Sequence, residues 1–260
     1  MKLRGIALFV LCWLAPIVGL ADVAEIGAVK DNTLYETTDG SISNGAGEHF
    51  FAGRNSSQEL RRAVLAFDVA ASVPAGSVIH SVTLTLFMSR TTAATHSVAL
   101  HRLLANWGEG TSNATGGEGG GSASTLGDAT WTHSFFNTFF WTTPGGDYLA
   151  LPRATTSVGG IDFYTWSTVQ LAADVQGWLD NPAGNFGWIL IGTEGAGGRT
   201  SKRFDSRTNP TGAQQPRLTI DFTPPVTQGA CCAADDTCTF GTAEECSTAG
   251  GTFQDRKSVV

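Results

Sequence analysis

The feature that most constrains this chain is a period of two in its apolar residues. Over residues 82–88, Val82, Leu84, Leu86 and Met88 alternate with Thr83, Thr85 and Phe87. That spacing puts one apolar row on a single face of an extended strand. Residues 63–69, 97–103, 186–192 and 216–222 read as strands too, and in the last Leu218, Ile220 and Phe222 share a face. Turn signals separate the runs, at Pro74-Ala75-Gly76, Pro144-Gly145-Gly146 and Asn181-Pro182-Ala183-Gly184. One stretch departs from the pattern. Leu171, Val175, Trp178 and Leu179 fall at i, i+4, i+7 and i+8, a short amphipathic helix stopped by Asn181-Pro182. Many strands with one short helix predict an all-β fold, an antiparallel β-sandwich of the jelly-roll kind, over residues 22–223.

Composition agrees and removes several classes. With 32 glycines in 260 residues and only 15% charged residues, the chain does not suit a helical bundle or coiled coil. Its 42% hydrophobic content excludes a disordered chain. A formal net charge of −7 argues against a nucleic-acid partner, which needs a basic patch.

Residues 1–21 read as an export signal. Lys2 and Arg4 open it, residues 6–14 are apolar, and small residues Gly19 and Ala21 precede the expected cut after Ala21. The apolar run is shorter than the roughly 20 residues a membrane span needs, so a secreted protein with no membrane span is expected. A lipid anchor on Cys12 would want a small residue before it, and Leu11 stands there. Removing the signal leaves 14 basic and 23 acidic residues, a charge near −9.

The other four cysteines, Cys231, Cys232, Cys238 and Cys246, sit together after 209 cysteine-free residues. An even number so close together in an exported chain reads as two disulfides, with three pairings open. The CC-x5-C-x7-C spacing, with no histidine nearby, does not fit zinc. The expected division is a linker over 224–228 and a disulfide-stapled tail over 229–260.

Two segments stand apart. Residues 108–121 hold seven glycines and read as one long mobile loop, without the ending of a phosphate cradle. Seven aromatics then fall within residues 131–148. Loops on a rigid sandwich are where binding usually sits. Sugars are bound by aromatic rings against pyranose faces with polar groups for the hydroxyls. Trp107, Trp131, Trp141 and Tyr148 are therefore the candidate ligand-binding residues, with Trp107 and Trp131 also readable as core plugs.

Asp31-Asn32-Thr33-Leu34-Tyr35-Glu36 resembles the opening of the disaggregatase-related, or DNRLRE, domain family, with Thr33 and Tyr35 in place of its two arginines. Further blocks follow in the family's order: Ser43-Asn44-Gly45, Arg62 through Asp68, Ala105-Asn106-Trp107-Gly108-Glu109, Ala129-Thr130-Trp131, Asp174 through Leu179, Phe204-Asp205-Ser206-Arg207 and Pro216 through Ile220. The resemblance covers about residues 28–223. It implies a secreted β-sandwich that some members use as a carbohydrate-binding module on polysaccharide-degrading enzymes. The tail, Gly229-Ala230-Cys231-Cys232 through Gly250-Gly251-Thr252-Phe253, resembles a short cysteine module of exported bacterial proteins. Sandwich carbohydrate modules often hold a structural calcium near paired terminal strands, and by that resemblance Asp31 and Asp221 are its expected ligands.

No HExxH or GxSxG motif is present, and the five histidines are scattered, so no enzyme is expected. Arg54, Arg61, Arg62, Arg199, Lys202, Arg203 and Arg207 hold half of the basic residues left after the signal. They face either carboxylates of the sandwich or an acidic polysaccharide. The expected function is recognition of an extracellular polysaccharide, acidic or neutral, without catalysis. The alternatives are a cell-surface assembly protein that contacts other proteins through the same loops, and a polysaccharide lyase or hydrolase.

Overall fold

The computed structural model describes residues 20–195, 197–226 and 228–254. The expected export signal lies outside the described residues up to residue 19. The chain divides into a compact unit over Ala21–Pro225 and a second that begins at Val226.

The first unit is built from β1 (Asp22–Gly27), β2 (Lys30–Tyr35), β3 (Ile42–Ser43), β4 (His49–Arg54), β5 (Leu60–Ala66), β6 (Val78–Thr91), β7 (His96–Arg102) and β8 (Ser122–Ala123). It continues through β9 (His133–Phe135), β10 (Phe139–Phe140), β11 (Ala154–Val158), β12 (Asp162–Ser167), helix α1 (Val169–Asp180), β13 (Trp188–Gly192), β14 (Lys202–Asp205) and β15 (Arg217–Thr223). Eleven strands form one curled antiparallel sheet in the order β1-β15-β6-β14-β4-β5-β13-β7-β11, with β12 beside β6 and β2 beside β5. The two halves face each other as a sandwich. β4 joins them: residues 49–52 pair with β14, and Gly53 and Arg54 pair with β5. Gly53 makes that crossing with φ +111°, and a Cβ there would lie 2.9 Å from the Thr200 main chain.

The alternation explains the core. Val82, Leu84, Leu86 and Met88 of β6 and Leu218, Ile220 and Phe222 of β15 are all buried between the halves. Each such side chain contributes about 1.5–3 kcal/mol by leaving water. α1 closes one end with Leu171, Val175, Trp178 and Leu179, and Thr168 caps it by accepting the Leu171 N–H. The strand expected at 63–69 lies at Leu60–Ala66, because Val69 already accepts N–H bonds from Ser72 and Val73 in a turn.

β5 and β13 are buried on both faces. Ala63, Leu65, Trp188 and Leu190 point into the inter-sheet core, while Val64, Ala66 and Ile189 point outward into a second cluster. Residues 103–148 supply that cluster's cover. The glycine-rich segment, expected as a mobile loop, is hydrogen-bonded to the sandwich at several points. Gly45 N–H donates to Ser112, Ala114 N–H donates to Asn44, Tyr35 donates to the Glu118 carbonyl, and Glu118 is 6% exposed. At Gly108 a Cβ would lie 1.9 Å from the Gly127 carbonyl, so only glycine fits that approach.

The second unit has β16 (Gln228–Cys232), β17 (Cys238–Thr242), a short helix α2 (Ala243–Thr248) and β18 (Thr252–Gln254), with β16 central. Its disulfides pair Cys231 with Cys246 and Cys232 with Cys238. Thr242 and Glu245 cap α2 reciprocally.

Candidate functional site

Burial divides the aromatic candidates. Trp107, Trp131 and Trp141 are 1%, 9% and 4% exposed and belong to the outer cluster over β5 and β13. Trp107 donates its indole N–H to the Phe186 carbonyl and Trp141 to the Thr130 carbonyl. These three rings pack against the fold, and Trp131 also lines a cavity of about 650 Å³ with Glu36, Glu59 and Pro144. Tyr148 differs. It is half-buried and lines a cavity of about 650 Å³ with Pro144, Asp147 and Leu104. The same aromatic run also places Phe139 and Phe140 outside, 63% and 72% exposed, on the β9–β10 hairpin, where His133 stacks on Phe140. The run was visible in the sequence; which rings face out depends on the hairpin.

Asp31 and Asp221, the expected calcium ligands, lie on different strands, β2 and β15. Asp221 lies on β15 opposite Val23, near the start of β1. Asp31 lies on β2, past the end of β1. Asp31 also has its own partners. Its carboxylate accepts the Arg207 N–H at 2.7 Å, and its own N–H donates to Glu109. Burial first, then the charge of Glu109, pushes its pKa up to about 7 against the opposing N–H and charge of Arg207.

The basic residues fall into three settings. Some meet carboxylates: Arg62 is held by both oxygens of Glu194 at 2.7 and 2.8 Å, Arg61 by Glu59, and Arg207 by Glu109. Lys202 meets carbonyls alone. Its ammonium is fully buried and donates to Ala94 at 2.7 Å, Gly159 at 3.1 Å and Ala93 at 3.4 Å. Burial lowers its pKa.

Arg203 and Arg90 make up the third setting. They stand directly opposite one another across β14 and β6. Arg203 donates to the Ser89 hydroxyl, and among the described residues neither guanidinium lies within ion-pair distance of a carboxylate. Burial lowers the pKa of Arg203 and the charge of Arg90 lowers it further, while Asp205, Glu118 and Glu48 oppose both. A groove of about 550 Å³ lies over the pair, lined also by Thr91, Thr115, Ser201 and the glycines Gly117, Gly119 and Gly120. Glu118 borders it, but its carboxylate is occupied by Asn44 Nδ2, the N–H groups of Glu48 and His49, and His49 Nδ1. His49 also lies 3.5 Å from Asp205 through Nε2.

Sequence reasoning included Arg203 and missed Arg90. The pairing spans 113 residues and passes a register shift between Arg203 and Phe204. Among the described residues no helix is long and apolar enough to cross a membrane. No protein-family model matches the sequence, and no curated protein matches it.

Proposed function

We propose that the protein is an exported, non-catalytic module whose sandwich unit recognises an acidic extracellular polysaccharide. One observation carries the reading: Arg90 and Arg203 face each other in a groove rich in hydroxyls, with no described carboxylate within ion-pair distance of either. Like charges directly opposite across a strand pair are unfavourable, and a bound carboxylate or sulfate turns that repulsion into attraction. A guanidinium meets either group with two parallel N–H bonds. The hydroxyls of Thr91, Thr115 and Ser201 serve the sugar hydroxyls. Binding and release leave the polymer chain intact.

The test is titration calorimetry with polygalacturonate, dextran sulfate and uncharged dextran at two salt concentrations. The charged polymers should bind, more weakly at high salt, and dextran should not occupy this groove. Losing charge-assisted bonds worth about 1.5–3 kcal/mol should weaken binding at least tenfold in Arg90→Gln/Arg203→Gln. Equal binding by that variant would sink the assignment, as would shortening of the polymer chains on incubation.

A further inference from the structure

We infer that the cavity against Tyr148 is a second, separate binding site, and that it takes an uncharged pyranose ring. The inference rests on the reading of the protein as a polysaccharide-binding module, but it uses different residues and a different kind of contact. The segment carrying Tyr148 is fixed from several sides. Leu104 N–H donates to the Asp147 carbonyl, and Leu149 N–H to Arg102. Tyr148 itself bridges to Leu103. Its ring meets the His101 ring edge-on, with centroids 5.2 Å apart, and the Arg62 guanidinium lies 5.4 Å from its centre. Arg62 also donates to the Gly145 carbonyl, and a Cβ on Gly145 would lie 2.5 Å from that guanidinium. A ring held this way loses little freedom when a ligand stacks on it.

Electrostatics selects the ligand. The charge of Arg62 is already matched by Glu194 through two hydrogen bonds. The carboxylate left over is Asp147, which accepts the N–H groups of Thr142 and Thr143 at 2.8 and 2.9 Å. Those bonds fix in place a carboxylate that lines the cavity. Such a site accepts hydrogen bonds from sugar hydroxyls and repels carboxylate or sulfate. Pro144 and Leu104 add apolar surface beside the tyrosine. The cavity volume, about 650 Å³, is in the usual range for a small-molecule site. The Arg90–Arg203 groove has the opposite charge, so one module carries one site for anionic sugars and one for neutral sugars.

Titration of the full chain with neutral hexasaccharides of β-1,4-glucan, β-1,4-mannan and β-1,4-xylan, alongside oligogalacturonate, tests this. At least one neutral hexasaccharide should bind. Tyr148→Ala should weaken it tenfold or more, Tyr148→Phe should retain it, and Arg90→Gln/Arg203→Gln should leave it unchanged. Near-ultraviolet circular dichroism establishes that each variant is folded. If no neutral hexasaccharide binds, or if Tyr148→Ala binds as the parent does, the inference is overturned even where oligogalacturonate binds. Neutral binding lost in the arginine variant would place it in the other groove and overturn it as well. Neutral binding that depends on Tyr148, with oligogalacturonate silent, would uphold this site and remove the acidic one.

Discussion

Arg203 and Arg207 lie four residues apart on one stretch of chain and meet opposite surroundings. Arg207 is closed in by acid. Glu109 grips its guanidinium, Asp31 accepts its N–H, and Lys30 stands nearby with its ammonium at the Trp107 carbonyl and over the Trp107 ring. Arg203 faces another arginine. At one end the carboxylates are matched by Arg207 and Lys30, and burial pushes Asp31 up to about 7. At the other end two guanidiniums face each other, and no described carboxylate lies within ion-pair distance of either. The first arrangement is complete within the fold and fastens residues 105–109 to β2. The second would be completed by the proposed acidic ligand, and that contrast, more than the number of basic residues, is what would distinguish a binding site from a structural ion pair.

Lys202 sharpens the contrast, because it adjoins Arg203 and is satisfied by carbonyls alone. Lys202→Ala would leave a void and three carbonyls without their donor, at a cost of about 4 kcal/mol. Lys202→Met keeps most of the volume and should cost about half as much. Urea unfolding of the two variants separates packing from hydrogen bonding. If Lys202→Met is as stable as the parent, the ammonium contributes nothing net, and Lys202 does not differ from a packed apolar residue.

A smaller effect comes from the acid-rich end. The folded protein keeps a proton on Asp31 that the unfolded chain releases well below pH 7. The folded state therefore binds more protons over that interval, and the contribution of Asp31 to stability falls as pH rises. It is fully present below about pH 4 and gone above about pH 7. Asp31→Asn should flatten this part of the stability profile, by about 3 kcal/mol between pH 4.5 and 7.5. An unchanged slope in the variant would mean that Asp31 is ionised throughout, and the two ends of the segment would differ less than their geometry implies.

The sequence made the strands legible wherever one face alone is buried. In β6 and β15 the alternation Val82–Leu84–Leu86–Met88 and Leu218–Ile220–Phe222 is the core itself. α1 was equally plain, since Leu171, Val175, Trp178 and Leu179 mark one face and Asn181-Pro182 ends it. The outer layer was not legible. That Val64 and Ile189 are covered, and that Trp107 and Trp141 do the covering, depends on residues 103–148 folding back over the sheet. No local period records such a return. The aromatic run marked the right region, but it could not tell Trp141, inside, from Phe140, outside. The same limit applies to charge. Arg203 and Arg207 look alike in sequence, and their difference is made by Arg90 and Glu109, each about a hundred residues upstream.

The smallest effect is the most diagnostic one. In a structural ion pair, removing a charge costs stability, because the partner is left uncompensated. At Arg90 the sign should reverse. Arg90→Gln removes a like charge facing Arg203, and Arg90 is exposed, so surface screening keeps the effect small. The variant should be equally stable or up to about 0.5 kcal/mol more stable in urea, and this gain should shrink as salt is raised. It should at the same time bind polygalacturonate more weakly. Stability and binding moving in opposite directions is what a groove held open for an anion requires. A variant that loses stability as well would show that Arg90 is already satisfied within the fold, and the groove would then resemble the Arg207 end.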